Sequence, residues 1–356
     1  LAGCACLCLL ALSVVPAARA GEVEGLYEVQ VPVTGQREAE RTDAVRAALQ
    51  QVLVKVTGDR RSMTQQRVQT LVQSPLKYVQ QYLYRPLPPG YAVAATDASR
   101  PTQMLWVRFD AEAINQLLRQ ADEPVWGRMR PTVLVWLAVE DGDGRRLVGG
   151  DTDSDVRAEL AGQAQARGIP LLFPLLDLED QRRVNFAAVR DGLAQEVRAA
   201  SARYPAGAVL VGGVRQESAG RWSGHWWLYM DAGVERWDSV APQRAEALAA
   251  GIDYATDALA ARFARAFGVQ ATAPVDLLVT GVDKVEDYGR AMNYLEALDT
   301  VSGLQVIAVD PAGVHFRLAL RGDRGDLVQA IAFGSVLAPA APGGGAEQEL
   351  TYRLLQ

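Results

Sequence analysis

Two short carboxylate clusters are the residues of this chain whose types and spacing could do chemistry. Glu140, Asp141 and Asp143 follow an apolar run at 132–139, and Asp177, Glu179 and Asp180 follow a second run at 169–173. If both runs are parallel strands of an open α/β sheet, both clusters leave its carboxyl edge, where such sheets bind ligands. Converged, Asp141, Asp143, Asp177 and Asp180 could hold Ca²⁺ or Mg²⁺, which take oxygen ligands, or provide an acid/base pair. The same residue types also form turns and cap helices, and in that reading the loops are solvated and structural.

Other chemistries lack their parts. The two histidines, His225 and His315, fall in different parts of the chain, so neither a zinc site nor a histidine-centred triad is visible. The three cysteines, Cys4, Cys6 and Cys8, all lie in the first twenty residues. The G-x-S-x-G, H-E-x-x-H and G-x-x-x-x-G-K-[ST] motifs are absent. Ser74-Pro75-Leu76-Lys77 spells S-x-x-K without the companion S-D-N and K-T-G motifs, and reads as coincidence.

Aromatic residues make a second candidate region. Strand alternation from Trp222 to Met230 puts Trp222, Trp226, Leu228 and Met230 on one face, the core side. The opposite face then carries His225, Trp227 and Tyr229, with Trp237 expected alongside from the next strand. Exposed Trp and Tyr are frequent anchors of protein interfaces, so Trp227, Tyr229 and Trp237 are the partner-binding candidates. The competing reading covers this face with a long helix at 244–267 or with another module.

These side chains need elements to position them, and the chain divides into three modules. The first, 21–122, reads as a strand at 26–31, a helix burying Val45, Ala48, Leu49, Val52, Leu53 and Val56, and a C-terminal cap at Gly58. A second helical stretch, a turn at 86–89, a strand at 105–109 and a helix at 111–120 complete it. The second module, 124–268, alternates strands (132–139, 169–173, 208–214) with helices, the first burying Val156, Leu160, Ala161 and Ala164, capped by Asp153 or Ser154 and stopping at Gly168. That alternation implies a parallel sheet. A hairpin (221–230, 234–240) and a long helix follow, which makes the sheet mixed, with an antiparallel edge. The third module, 273–356, reads as βαββαβ, the order of a ferredoxin-like sandwich, with a flexible loop at 339–348 carrying Gly343-Gly344-Gly345. The expected fold class is therefore α+β.

The residues at 1–20 read as the end of a secretory signal peptide. Leu7 to Val15 is too short to span a bilayer but suits an h-region, and Ala18-Arg19-Ala20 offers a cleavage site. Leu1-Ala2-Gly3-Cys4 spells a lipobox, but it precedes the apolar run instead of following it. With 42 acidic against 36 basic residues, the chain lacks the basic footprint of a nucleic-acid binder. No later segment has transmembrane length. Only Lys55, Lys77 and Lys284 are lysines, a bias that fits a GC-rich genome.

Several stretches are similar to an uncharacterised family of gammaproteobacterial exported proteins, domain of unknown function twenty-sixty-six. They are Tyr27-Glu28-Val29, Leu53-Val54-Lys55-Val56-Thr57-Gly58, Pro124-Val125-Trp126-Gly127, Leu175 to Asp180, and the run from Val209 through Gly220-Arg221-Trp222 to Glu235-Arg236-Trp237. The resemblance implies a periplasmic location and supplies no catalytic residue. The middle module also resembles the periplasmic α/β modules of curli-secretion and TolB-type envelope proteins, an analogy at fold level only.

The expected function is that of a periplasmic binding or scaffolding protein rather than an enzyme, with an envelope protein or glycan as partner. The alternatives are a metal-assisted hydrolase using the acidic loops and a small-ligand binding protein.

Overall fold

The computed structural model describes residues 20–88, 100–150, 152–218, 220–231, 233–264, 274–298, 300–320, 324–334, 336–340 and 350–355. The h-region at 7–15, the end of the long helix expected to 267, and residues 341–348 of the expected loop lie outside them.

The first module contains β1 (Ala20–Glu22), β2 (Glu28–Val33), α1 (Glu38–Thr57), α2 (Gln66–Leu71), β3 (Val79–Pro86), β4 (Gln103–Phe109) and α3 (Ala111–Ala121). All six apolar positions expected of α1 are buried. They recur at three- and four-residue spacing, so a 3.6-residue turn brings them to one side. Gly58 ends α1 in the left-handed region (φ 72°), its N–H donating to the Val54 carbonyl at 2.8 Å. Asp110 caps α3 by accepting from the Ala113 amide at 2.8 Å. The sheet is antiparallel in the order β2-β4-β3. The stretch expected to be helical yields only the six residues of α2, and β3 follows where no strand was foreseen. Tyr82, Leu83 and Tyr84 pair there with Val107, Trp106 and Leu105 of β4, the aromatic pairing that sheets favour.

The second module contains β5 (Met129–Pro131), β6 (Val133–Asp141), β7 (Gly144–Val148), α4 (Ser154–Arg167), β8 (Leu171–Leu172), α5 (Leu178–Arg183), α6 (Phe186–Arg190), α7 (Ala194–Ser201), β9 (Ala208–Ser218), β10 (Arg221–Met230), β11 (Gly233–Ala241) and α8 (Arg244–Phe263). Its sheet runs β11-β10-β9-β6-β7, with β8 also on β6. β6 is parallel to β8 and β9, while β7, β10 and β11 pair antiparallel. β6 is buried on both faces, as its unbroken apolar run requires. Val133, Val135, Leu137 and Val139 pack toward α4 and α8. Leu134, Trp136 and Ala138 pack toward α6 and α7.

Three local expectations change here. Asp141 and Asp143 sit at the tip of the β6–β7 hairpin, because Arg145 and Arg146 pair back onto Glu140 and Val139. Ala161 faces solvent on α4. Asp153 stands at the N-cap of α4 but makes no cap hydrogen bond, its carboxylate accepting from Arg146 instead at 2.6 Å.

The third module contains β12 (Val275–Thr280), α9 (Val285–Ala297), β13 (Val301–Asp310), β14 (Gly313–Leu320), α10 (Arg324–Phe333), β15 (Leu337–Pro339) and β16 (Leu350–Leu354). Its sheet order is β13-β14-β12-β16-β15, with β12 and β16 parallel. Ala291 and Leu295 of α9 and Leu327 and Ile331 of α10 fill its core. Pro339, expected in the loop, belongs to β15. The molecule is thus α+β, and no helix among the described residues is long and apolar enough to cross a membrane.

Candidate functional site

The two acidic clusters do not merge. Asp141 is gripped by Arg146 through two hydrogen bonds of 2.7 and 2.9 Å, which lower its pKa. Asp143 projects from the hairpin tip, its amide donating to Asp141 at 3.0 Å. In the other cluster Asp177 caps α5, accepting from the Glu179 and Asp180 amides at 3.1 and 3.0 Å. Arg203 adds bonds of 2.7 and 2.9 Å to Asp177, and this guanidinium brings its pKa down to about 2. Asp180 is buried and accepts from the Leu176 amide at 2.9 Å, Tyr204 Oη at 2.5 Å and Arg203 at 3.3 Å. Each cluster is therefore balanced by its own arginine. Among the described residues no three His, Cys, Asp or Glu side chains gather as metal ligands would.

The aromatic register is as expected, but the exposure is not. Trp226 is 1% exposed and Leu228 is buried, on the α8 side. The Trp226 ring fits between two glycines, since a Cβ on Gly212 or Gly251 would lie 2.4 or 2.5 Å from it. On the opposite face Tyr229 is only 4% exposed, its hydroxyl donating to the Gly192 carbonyl at 2.7 Å. Trp227 is half-buried against Gly192. The cover comes from α6, α7 and the Gly192 turn between them, whereas the long helix α8 covers the other side. Trp237 is opposite Trp226 in the β10–β11 ladder and so shares the α8 face, away from Trp227. The three partner-binding candidates thus do not form one patch.

Trp227 instead borders a cleft of about 480 Å³. Ala138 and Glu140 from β6, and Gly213, Val214, Arg215 and Glu217 from β9, set it at the carboxyl ends of the parallel strands. Phe186 and Arg190 come from α6, Asp191 from its end, Arg145 from β7, and Ser223, His225 and Trp227 from one face of β10. α6 lies this close because β9 carries Gly213, where a Cβ would be 2.6 Å from the Arg190 carbonyl oxygen. Arg145 pairs with Glu140 at 2.9 Å, Arg190 with Asp191 at 2.6 Å and Arg221 with Glu217 at 2.8 Å. Those arginines lower the pKa values of Asp191 and Glu217. His225 Nδ1 is 2.7 Å from Asp238. Arg215 is exposed at the rim. The result is an aromatic and glycine floor under a rim of mixed charge, geometry suited to binding. Ser223 and His225 share a strand face, Ser223 hydrogen-bonding to Glu217 and His225 to Asp238.

A second buried polar group escaped the sequence reading. Arg130 is fully buried and spends its donors on backbone carbonyls. Nε reaches Gly127 at 2.9 Å, Nη1 reaches Arg167 and Gly168 at 3.2 and 2.8 Å, and Nη2 reaches Lys55 and Trp126 at 2.7 and 2.6 Å. It therefore ties the C-terminal end of α1 in the first module to that of α4 in the second, while stacking 4.4 Å above Trp126. Cations at helix C-termini complement the helix dipole. Beside it Lys55 donates to the Glu28 and Gly25 carbonyls at 2.9 and 3.3 Å. Burial, with Arg130 close by, pushes its pKa down to about 8. Arg167 extends the junction to the Gly58 carbonyl at 2.7 Å and to Asp257, and Arg60 reaches Asp253 and Asp257, both at 2.9 Å. The one sequence signal was that two of these cations, Lys55 and Arg130, stand beside apolar runs.

An α+β protein with a cleft at the carboxyl edge of a mixed sheet is the class these features define. Residues 20–127 match the family model described as "Domain of unknown function (DUF8605)". No curated protein matches the chain.

Proposed function

We propose that this chain is a binding or scaffolding protein of the cell envelope, and that its middle module holds a segment of an envelope protein or glycan in the cleft beside Trp227. The observation that carries the reading is the cleft itself. An aromatic and glycine floor lies at the carboxyl end of two parallel strands, ringed by Arg145, Arg190, Arg215 and His225 together with Glu140, Asp191 and Glu217. Ligands of open α/β sheets collect at that edge. Aromatic faces with nearby guanidinium groups suit polypeptide and sugar surfaces carrying polar or acidic groups. The cleft volume also suits a small molecule, since ligand pockets span roughly 300–1,000 Å³, which keeps small-ligand binding as the second reading.

The periplasmic setting belongs to the same proposal. It is supported by the h-region and the Ala18-Arg19-Ala20 site, and by the likeness to exported proteins carried by the stretches quoted above. The sheet order and helix placement of the third module support reading it as a ferredoxin-like sandwich with β15 added at one edge. The mixed sheet of the second supports the analogy with curli-secretion and TolB-type modules, which is one of architecture.

Site-specific photo-crosslinking in intact cells tests the reading. A crosslinker at Arg215 should capture a defined envelope component, and one at exposed Tyr82 of the first module should not. Equal capture at both positions, or none at Arg215, overturns it.

A further inference from the structure

The outer edge of β11 is an unusual strand end for a sheet to leave open. It pairs with β10 over nine consecutive residues from Gly233 to Ala241 without a register shift. Among the described residues no strand covers its other side. Open edges template further pairing, and proteins blunt them with proline, bulges, short length or charged side chains. The other described edges here carry such devices. β2 contains Pro32, β3 ends on Pro86 and slips register after Val79, β13 slips twice, and β7, β8 and β15 have five, two and three residues. β11 has no proline, no register shift and nine residues, and its charges, Glu235, Arg236 and Asp238, leave both signs along one strand.

Its sequence is also complementary to itself. Side chains 234, 236, 238 and 240 project on the exposed face of the strand. In an antiparallel pair centred on Trp237, Arg236 lies opposite Asp238 of a second copy, and Asp238 opposite its Arg236. Val234 and Val240, 40% and 61% exposed, then lie opposite each other's counterparts. Directly opposed residues share a face in an antiparallel ladder, and opposite charges there attract. Shifting the register by two residues either way puts Arg236 against Arg236 or Asp238 against Asp238, which repel. On the other face each Trp237 stacks on Tyr254 with centroids 4.4 Å apart, and Tyr254 is 42% exposed beside the axis.

We infer that β11 is a homodimerisation edge: a second copy of this chain adds its β11 antiparallel about a two-fold axis at Trp237, joining the two middle sheets into one. A two-fold contact requires this kind of self-complementary surface. The pairing lies on β11 and adjoins the rim of the cleft through Asp238, whose Oδ1 is 2.7 Å from His225 Nδ1, while the β6 and β9 residues of the cleft stay clear of it.

Sedimentation equilibrium of the mature chain across a concentration series tests it, with circular dichroism confirming that each variant is folded. The unaltered chain should show a reversible monomer–dimer equilibrium. Arg236→Asp and Asp238→Arg should each weaken the dimer by roughly tenfold or more, because each replaces two attractions by two repulsions. The double exchange R236D/D238R should restore it. Because the mature chain has no cysteine of its own, Val234→Cys with Val240→Cys should give a disulfide-linked dimer under oxidation, and Val240→Cys alone should not. A chain that stays monomeric throughout, single exchanges without effect, a double exchange that fails to restore association, or equal crosslinking by the single cysteine would each overturn the inference.

Discussion

Trp226 and Trp237 stand directly opposite each other on β10 and β11, their rings stacked at 6.4 Å and 11°. Tyr254 of α8 also stacks on Trp237, at 4.4 Å, and exposure rises through the three rings from Trp226 to Tyr254. Only the inner ring is wholly enclosed, wedged between Gly212 and Gly251.

This position makes Trp226→Ala destabilising by about 3–5 kcal/mol, the usual effect of emptying a large buried aromatic site. Trp227→Ala, against the Gly192 turn and half-open to the cleft, should cost about 1–2 kcal/mol. Tyr229→Phe should cost about 1 kcal/mol through loss of the bond to the Gly192 carbonyl. Urea unfolding of the three variants checks the order. If Trp227→Ala proved the most damaging, the assignment of strand faces would be wrong.

Lys55 links stability to pH. Its folded pKa of about 8 is below the ordinary 10.5, so above pH 8 the folded state releases the proton before the unfolded state does. The unfolded state then binds more protons, and the Lys55 contribution to stability rises with pH between about 8 and 10.5. Below that window the lysine is charged in both states and its burial penalty is constant. The stability of the native chain relative to Lys55→Met should therefore improve by roughly 3 kcal/mol across the window. Paired denaturation curves at several pH values measure this, and a pH-independent difference would contradict it.

Arg130 joins the first two modules through five carbonyls, and Arg130→Met removes every one of those donors. Buried carbonyls left without partners cost about 1–3 kcal/mol each before relaxation. A loss above about 3 kcal/mol is expected, together with faster amide exchange at the ends of both α1 and α4. Exchange that quickens at one helix alone would show that the residue does not couple them.

Arg203 is the counter-charge of the second acidic cluster. Calcium or magnesium at millimolar concentration should leave the melting temperature of the native chain unchanged. Arg203→Leu should return the Asp177 carboxyl from about 2 toward its ordinary value of 3.8, measured by carboxyl NMR titration. The variant should also gain a rise in melting temperature with either cation, because binding the folded state alone stabilises it. A rise already present in the native chain would restore the metal reading of these loops.

Export is tested by the terminus. N-terminal sequencing of protein from the periplasmic fraction should begin at Gly21, leaving Gly21 and Glu22 of β1 to pair with Arg130 and Met129. An acylated Cys4 at the terminus would sink the assignment.

Local sequence pattern determined the α+β class, the buried face of α1, the two-faced burial of β6, the hairpin of β10 and β11, and the core position of Trp226. A repeat near 3.6 residues for a helix or two for a strand fixes which side chains share a side, and an unbroken apolar run marks a strand covered on both. Tertiary structure decided what lies against each side. Alternation put Tyr229 opposite Trp226 but carried no information that α6 and α7 would cover it, or that Trp237 would turn toward α8. The spacing of Asp141 and Asp177 put both near one sheet edge. Which charge each would meet depended on Arg146 from the returning β7 and Arg203, 26 residues beyond Asp177. The junction at Arg130 was beyond any pattern, because its acceptors at Lys55, Trp126 and Gly168 come together only when two helix ends meet. Hydrogen bonds between residues distant in the chain leave no period in the sequence, and the cleft and the junction are both made of such meetings.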